Sequence, residues 1–233
     1  MIRLECIPSG DDPLLVWVAQ GMRTGARAWT SGDATAVACR DVSRRDRLAV
    51  RGSVADVTEL LGRIRPEVEG FFPIGDEPLI AALPGVEVVV HLGWMHTETP
   101  PGTPSAKSAH WLAETELSQV TALLEAHHPH SFARPGDSGV TRWAGIRDED
   151  GALLAVAADA WSAPEVGFLA GVATRTDARG RGLAAQLCAF VTGELLAARG
   201  RVALLVEHEN VAAVRTYDRL GYRMRRLAAA RFT

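Results

Sequence analysis

Asn210-Val-Ala-Ala-Val-Arg-Thr-Tyr-Asp-Arg-Leu-Gly-Tyr222 holds the single asparagine and both tyrosines of this 233-residue chain. The stretch reads N-x-x-A-x-x-x-Y-x-x-x-G-Y. Asn210 and Tyr217 are two helical turns apart, so on a helix both face one groove, and Ala213 between them keeps that groove shallow. Working outward, the apolar run Val202–Val206 reads as a strand. Before it, Leu183, Leu187, Phe190, Val191 and Leu195 recur at helical spacing and stop at Gly200. That helix is preceded by Arg179-Gly-Arg-Gly-Leu-Ala184, an R-x-x-G-x-A run that follows a strand expected over 166–174. A strand-to-helix turn of this kind presents unpaired amides and the positive end of a helix dipole. Gly180 and Gly182 leave its backbone open to a phosphate.

The R-x-x-G-x-A run alone is a weak signal in a chain rich in Arg, Gly and Ala. Joined to the Asn/Ala/Tyr/Gly/Tyr spacing one helix and one strand downstream, it resembles the acyl-coenzyme A site of the GNAT superfamily of N-acetyltransferases, in its glycine N-acyltransferase-like branch. The resemblance covers residues 109–233. It implies an α/β (α+β) GNAT fold, a mixed and mostly antiparallel sheet flanked by helices, with acetyl-CoA as acyl donor and no metal. By the same resemblance, the backbone of Arg179, Gly180, Arg181, Gly182, Leu183 and Ala184 holds the pyrophosphate. Val172, Ala173 and Thr174 pair with the pantetheine arm, Asn210 contacts the coenzyme, and Tyr217 protonates the departing thiolate. A phenol suits that task, because a pKa near 10 keeps it protonated at neutral pH. The alternative for the turn is plain backbone geometry, and for Tyr217 a ring packed on the core.

The implied reaction is transfer of an acetyl or short acyl group to a small-molecule primary amine by direct attack in a ternary complex. Such an amine is protonated in water and needs a base or a water chain. Glu165, Glu207, His208 and Asp159 are the candidates. Members of that branch often carry an acid within the central strand, whereas this chain has Gly167-Phe-Leu-Ala-Gly171 there, which leaves the base open. A catalytically silent acyl-CoA-binding module and a protein or peptide N-terminal acetyltransferase are the rival readings.

Residues 97–108 contain three prolines and no large apolar residue, which marks a linker at 101–108 between a half at 1–100 and a half at 109–233. The first half predicts a short helix opening at Asp12-Pro13, a hairpin of 26–29 with 35–39, and a strand over 86–91 that is largely buried. Between them Ser53 and Asp56 start a capped helix with Val54, Val57, Leu60, Leu61 and Ile64 on one face. It lacks R-x-x-G-x-A and reads as a degenerate GNAT-like domain without a coenzyme site, in tandem with the catalytic one. The second half predicts a strand at 111–112, a helix with Leu117, Val120, Leu123 and Leu124 inward, and a hairpin of 141–146 with 152–161. No internal sequence repeat stands out.

Net charge is -3, yet residues 172–233 carry 11 Arg against 5 acids. That asymmetry suits an anionic ligand as readily as it reflects a chain whose basic residues are Arg but for Lys107. No basic run is interleaved with aromatics, so a nucleic-acid partner is not expected. Cys6, Cys39 and Cys188 form no C-x-x-C pair, and a reducing compartment fits. The apolar run at 14–19 is too short for a membrane span and follows Asp11-Asp12 rather than a basic segment, so the expectation is a cytoplasmic protein with no membrane partner. A homodimer is open. His127-His128-Pro129-His130 reads as a helix-end loop rather than a metal site. Trp94, Trp111, Trp143 and Trp161 sit among apolar residues and are expected in the core.

Overall fold

The computed structural model describes residues 1–8, 10–102 and 109–233. Most of the linker expected at 101–108 therefore lies outside the described residues. The first half runs β1 (Ile2–Leu4), α1 (Pro13–Ala19), β2 (Arg27–Ser31), β3 (Ala34–Val42), β4 (Arg45–Arg51), α2 (Val54–Ile64), β5 (Phe72–Asp76), α3 (Glu77–Ala82) and β6 (Val86–Thr97). The second runs β7 (His110–Trp111), α4 (Leu117–His127), β8 (Val140–Arg147), β9 (Leu153–Ala160), β10 (Gly167–Thr174), α5 (Leu183–Arg199), β11 (Val202–Val206), α6 (Val211–Arg219) and β12 (Arg223–Phe232). The same succession of nine elements thus occurs twice, although no repeat is visible in the residues.

Among the described residues all strands join one sheet, ordered β1-β2-β3-β4-β5-β12-β6-β11-β10-β9-β8-β7. Only β4 with β5 and β10 with β11 run parallel. The order reads alike from both edges apart from an exchange at the centre. There β6 of the first half pairs with β11 through Gly93 to Thr97, and β12 of the second half pairs with β5 through Leu227 to Ala229. β6 and β12 also pair with each other along most of their length. Each half's sheet is completed by a strand of the other.

Local chemistry explains the elements. Asp12 caps α1 by accepting from the Leu14 amide at 2.8 Å, and Pro13 supplies a preset first turn. Leu14 to Ala19 are all buried, because α1 is wedged among Trp94, Trp143, Trp161 and Phe168 on one face of the sheet, which it shares with α4. The other face carries α2 and α3 over the first half and α5 and α6 over the second. In α2, Val57, Leu60, Leu61 and Ile64 are buried as the periodicity predicts, while Val54 is half out in solvent. In α4, Val120, Leu123 and Leu124 are buried.

Two expectations need correcting. The strand expected over 86–91 is longer and not largely buried: Val89 and Val90 are 46% and 39% exposed, because at that end only Val86 and Val88 pack against the core under α2 and α3. Trp111 is only half-buried, lying beside Phe190 at 5.6 Å and beneath the Arg142 guanidinium at 3.7 Å, since β7 is the sheet edge. No helix among the described residues is long and apolar enough to cross a membrane.

Candidate active site

β10 and β11 pair at only two positions, Gly167 with Val202 and Phe168 with Ala203. Beyond them the strands part, and β10 runs on to Thr174 bonded only to β9. Parallel strands that separate leave main-chain groups along the inner edge free to bond a ligand. A bulge between Ala170 and Ala173 deepens the separation. It depends on Gly171, whose φ is +63° and where a Cβ would come within 2.5 Å of the Trp143 ring. Val172 and Thr174 are half-buried along this edge, and Ala173 points into the core.

From Thr174 the chain passes through a 3-10 turn at Thr176–Ala178 to Arg179 and the start of α5. Gly180 and Gly182 adopt φ of +77° and +76°, a conformation that favours glycine, and a side chain at Gly180 would meet nothing. No side chain caps α5. The first amides of a seventeen-residue helix therefore open onto solvent at the end of the parting strands. Arg179 does not reach outward: it donates to the Thr174 carbonyl at 3.3 Å and the His127 carbonyl at 3.0 Å, holding the turn against α4. Arg181 is exposed, with no ion-pair partner among the described residues. Leu183 and Ala184 are half-buried in the first turn of the helix.

β11 leads to the opposite lip. Asn210 caps α6, its Oδ1 accepting from the Ala213 amide at 3.1 Å, which leaves its side-chain NH2 uncommitted. Tyr217 is 8% exposed and lies 5.8 Å from the Tyr222 ring. The Tyr222 hydroxyl is tied to Thr192 Oγ1 at 2.8 Å, but no hydrogen bond among the described residues claims the Tyr217 hydroxyl. Burial, then Cys188 and Tyr222, raise Tyr217 well above the usual phenol range, so it is protonated at neutral pH. Cys188 is fully buried and its thiol is pushed up to about 12, which leaves no thiolate to carry an acyl group.

The base candidates are scattered. Glu165 is exposed in the Ala163–Val166 turn at the start of β10, roughly 25 Å of strand away from Thr174. Asp159 is buried and held by Arg142 at 3.3 Å and by the Ser162 hydroxyl. Glu207 and His208 follow β11 at the lip itself. Glu207 is exposed, and the half-buried His208 has an Nε2 without a partner. Of the histidine run, His127 Nδ1 bonds Thr176 Oγ1 at 3.1 Å, and no metal-holding cluster occurs among the described residues. Burial, then the charges of Arg179, His130 and Arg134, lower His128.

The matching place in the first half is closed. At the start of α2, Ser53 N–H donates to both oxygens of Asp33 at 3.0 Å, and the Asp56 amide donates to Ser53 Oγ at 3.2 Å. A Cβ on Gly52 would lie 2.7 Å from Ala34 Cα, so the β2–β3 turn is pressed onto the helix start. A carboxylate of the chain itself occupies the anion position. The Ser53 amide, and next Asp56, hold the Asp33 carboxyl below its ordinary range. Asp33 was not singled out in the sequence, because the carboxylate comes from the hairpin preceding the helix by two strands.

The FR47-like protein family matches residues 144–231, the segment that builds both lips. No curated protein matches the chain. Solved structures match nearly all of it. A protein of Novosphingobium aromaticivorans assigned to the GNAT family of acetyltransferases aligns at 22% identity and TM-score 0.59, covering 96% of this chain and 100% of that one. A GCN5-related N-acetyltransferase from Kribbella flavida aligns at 20% identity and TM-score 0.61, covering 97% and 96%. A GNAT-family acetyltransferase from Colwellia psychrerythraea aligns at 13% identity and TM-score 0.53, covering 94% and 89%. Over nearly its whole length this chain has the fold of the GNAT acetyltransferases.

Proposed function

We propose that the chain is an acyl-CoA-dependent N-acyltransferase with one coenzyme site, between β10 and β11. The observation that carries this reading is the parting of those strands onto an uncapped helix start with two left-handed glycines. It provides a main-chain edge for an extended amide-bearing arm and free amides for a pyrophosphate. The amides from Arg179 to Ala184 hold the phosphates, and Arg181 adds charge. Val172 to Thr174 bond the pantetheine, and the Asn210 side-chain NH2 reaches it from the other lip.

The neutral amine nitrogen forms its bond to the thioester carbonyl carbon while the carbon–sulfur bond breaks. Tyr217 gives its proton to the leaving sulfur. The proton lost by the amine passes to Glu207 or His208, directly or through water; Glu165 and Asp159 sit poorly for that role. The first half, 1–100, is a degenerate copy of 109–233 whose coenzyme position Asp33 blocks. Isothermal titration with acetyl-CoA, followed by turnover on a panel of primary amines, tests the reading. One molecule bound per chain with amine-dependent release of free thiol is expected. Tight binding without release on any amine would make the protein a binding module instead.

A further inference from the structure

We propose that the acyl acceptor carries a carboxylate or phosphate group, held in a cavity that both halves build behind the parting strands. This rests on the acyltransferase reading above. The cavity measures about 380 Å³ and is lined by Arg44, Arg45, His130, Ser131, Phe132 and Arg134. Three arginines line it and no acidic residue does, in a chain whose acids outnumber its bases. On the far side of Arg44 and Arg45 a second hollow, of about 290 Å³, is lined by Asp41 and Asp46 and is charge-balanced.

Of the three arginines, Arg44 is paired with Asp137 at 3.8 Å, whereas Arg45 and Arg134 have no carboxylate partner among the described residues. Among the described residues Arg45 has no ion-pair partner, and its guanidinium lies 5.6 Å over the Phe72 ring. Arg134 donates to the Pro129 carbonyl and pairs with no carboxylate. Arg47, two residues along the same strand from Arg45, is only 5% exposed. It donates to the Val42 carbonyl at 2.9 Å, lies over the Trp17 ring at 5.3 Å, and has no carboxylate beside it. Burial and the neighbouring Arg45 pull it down to about 10, as happens to a cation short of compensating charge. Arg45, Arg47 and Arg134, none of them paired with a carboxylate, are costly to bring together, and an incoming anion relieves that cost.

The cavity adjoins the site. Ala133 stands 3.3 Å from where a Cβ on Gly171 would lie, so the cavity loop packs on the β10 bulge. Phe132 lies 5.9 Å from Trp161, which lies 6.5 Å from Phe168, the last paired residue before the strands part. The wall is built under strain. Ser43 and Arg44 turn β3 into β4 with φ of +53° and +57°, positions that favour glycine or asparagine. Arg44 is thereby brought to the Phe132 carbonyl at 3.1 Å and to Asp137 at 3.8 Å, clamping the first half's hairpin onto the second half's loop. A positive wall draws the anionic end of the acceptor in and turns its ammonium toward the cleft. There, nearby cations favour the neutral, nucleophilic amine.

Matched acceptors test this: phosphoethanolamine against ethanolamine, and β-alanine against propylamine. The two anionic members distinguish phosphate from carboxylate. Wild-type kcat/KM should favour the anionic member of at least one pair by about tenfold or more, the usual weight of a charge-assisted hydrogen bond. Arg45→Gln should collapse that ratio through KM, with the KM for acetyl-CoA unchanged, and Arg45→Lys should restore part of it. Equal treatment of both members by the wild type, or an unchanged ratio in Arg45→Gln, overturns the proposal. If no amine turns over, the acyltransferase reading and the acceptor assignment fail together. Thermal shift with inorganic phosphate in the Gly182→Asp background, with and without Arg45→Gln, then shows whether the cavity is an anion site of another kind.

Discussion

In the proposed reaction Tyr217 serves the chemical step and Gly182 the coenzyme, and their substitutions should separate cleanly. Tyr217→Phe removes a proton needed only as the sulfur departs, so kcat should fall by about a hundredfold while the KM for acetyl-CoA barely moves. Unchanged turnover with a chemistry-limited amine would reassign the ring to packing beside Tyr222. Gly182→Asp places a negative charge at the helix start proposed to hold the pyrophosphate. Calorimetry should show acetyl-CoA binding lost with the circular dichroism spectrum intact, and wild-type affinity would remove the turn from the site. The turn was legible in the sequence because its glycines and its place before a helix are local facts. The base was not, because which acid stands at the lip depends on where strands end: Glu165 and Glu207 look alike in sequence yet lie at opposite ends of the parallel pair. Arg44 and Arg45 carry no mark in the sequence, because what sets them apart is the loop after α4, which packs beside them from the other half of the chain.

At the scale of elements, the starts of α2 and α5 are the same structural position with opposite chemistry. Asp33 supplies at α2 the anion that α5 leaves to a ligand. Its carboxyl is held in the folded chain below the ordinary carboxylate range, so the stability it contributes is present above about pH 4 and is lost as pH falls through the lower, folded value. Asp33→Asn should flatten the acid limb of a stability–pH profile measured by urea unfolding. An unaltered limb would show that the Ser53 contact carries no linkage. Sequence periodicity located α2, α4 and α5, whose apolar faces repeat over several turns. It gave no warning of α3 or β1, which are too short to show a period, nor of the exposed end of β6, where Val86 and Val88 reach the core and Val89 and Val90 do not.

For the molecule as a whole, the exchange of β6 and β12 makes the two halves inseparable. A chain starting at residue 109 lacks β6, which would leave β11 and β12 without their shared neighbour and Met95 missing from the core under α5. Such a fragment should be insoluble or unfolded by circular dichroism, and a soluble, fully active one would contradict the described pairing. Titration of the intact chain should give one coenzyme per chain, and two would contradict the blocking of α2 by Asp33. The exchange is invisible in the sequence because pairing between distant strands leaves no local mark, and the proline-rich segment between the halves suggests a boundary that the sheet ignores.

That interlocking also governs how the protein must be made. Residues 1–102 emerge from the ribosome first, yet the edge of β5 has no partner until Leu227 to Ala229 have been synthesised. Until then a nascent first half exposes an open strand edge and an apolar face, the features that invite aggregation or chaperone capture. Closure waits for β12 and joins distant parts of the chain, so refolding should be slow for a domain of this size. Force measured on arrested nascent chains should show its folding transition only after β12 has cleared the exit tunnel.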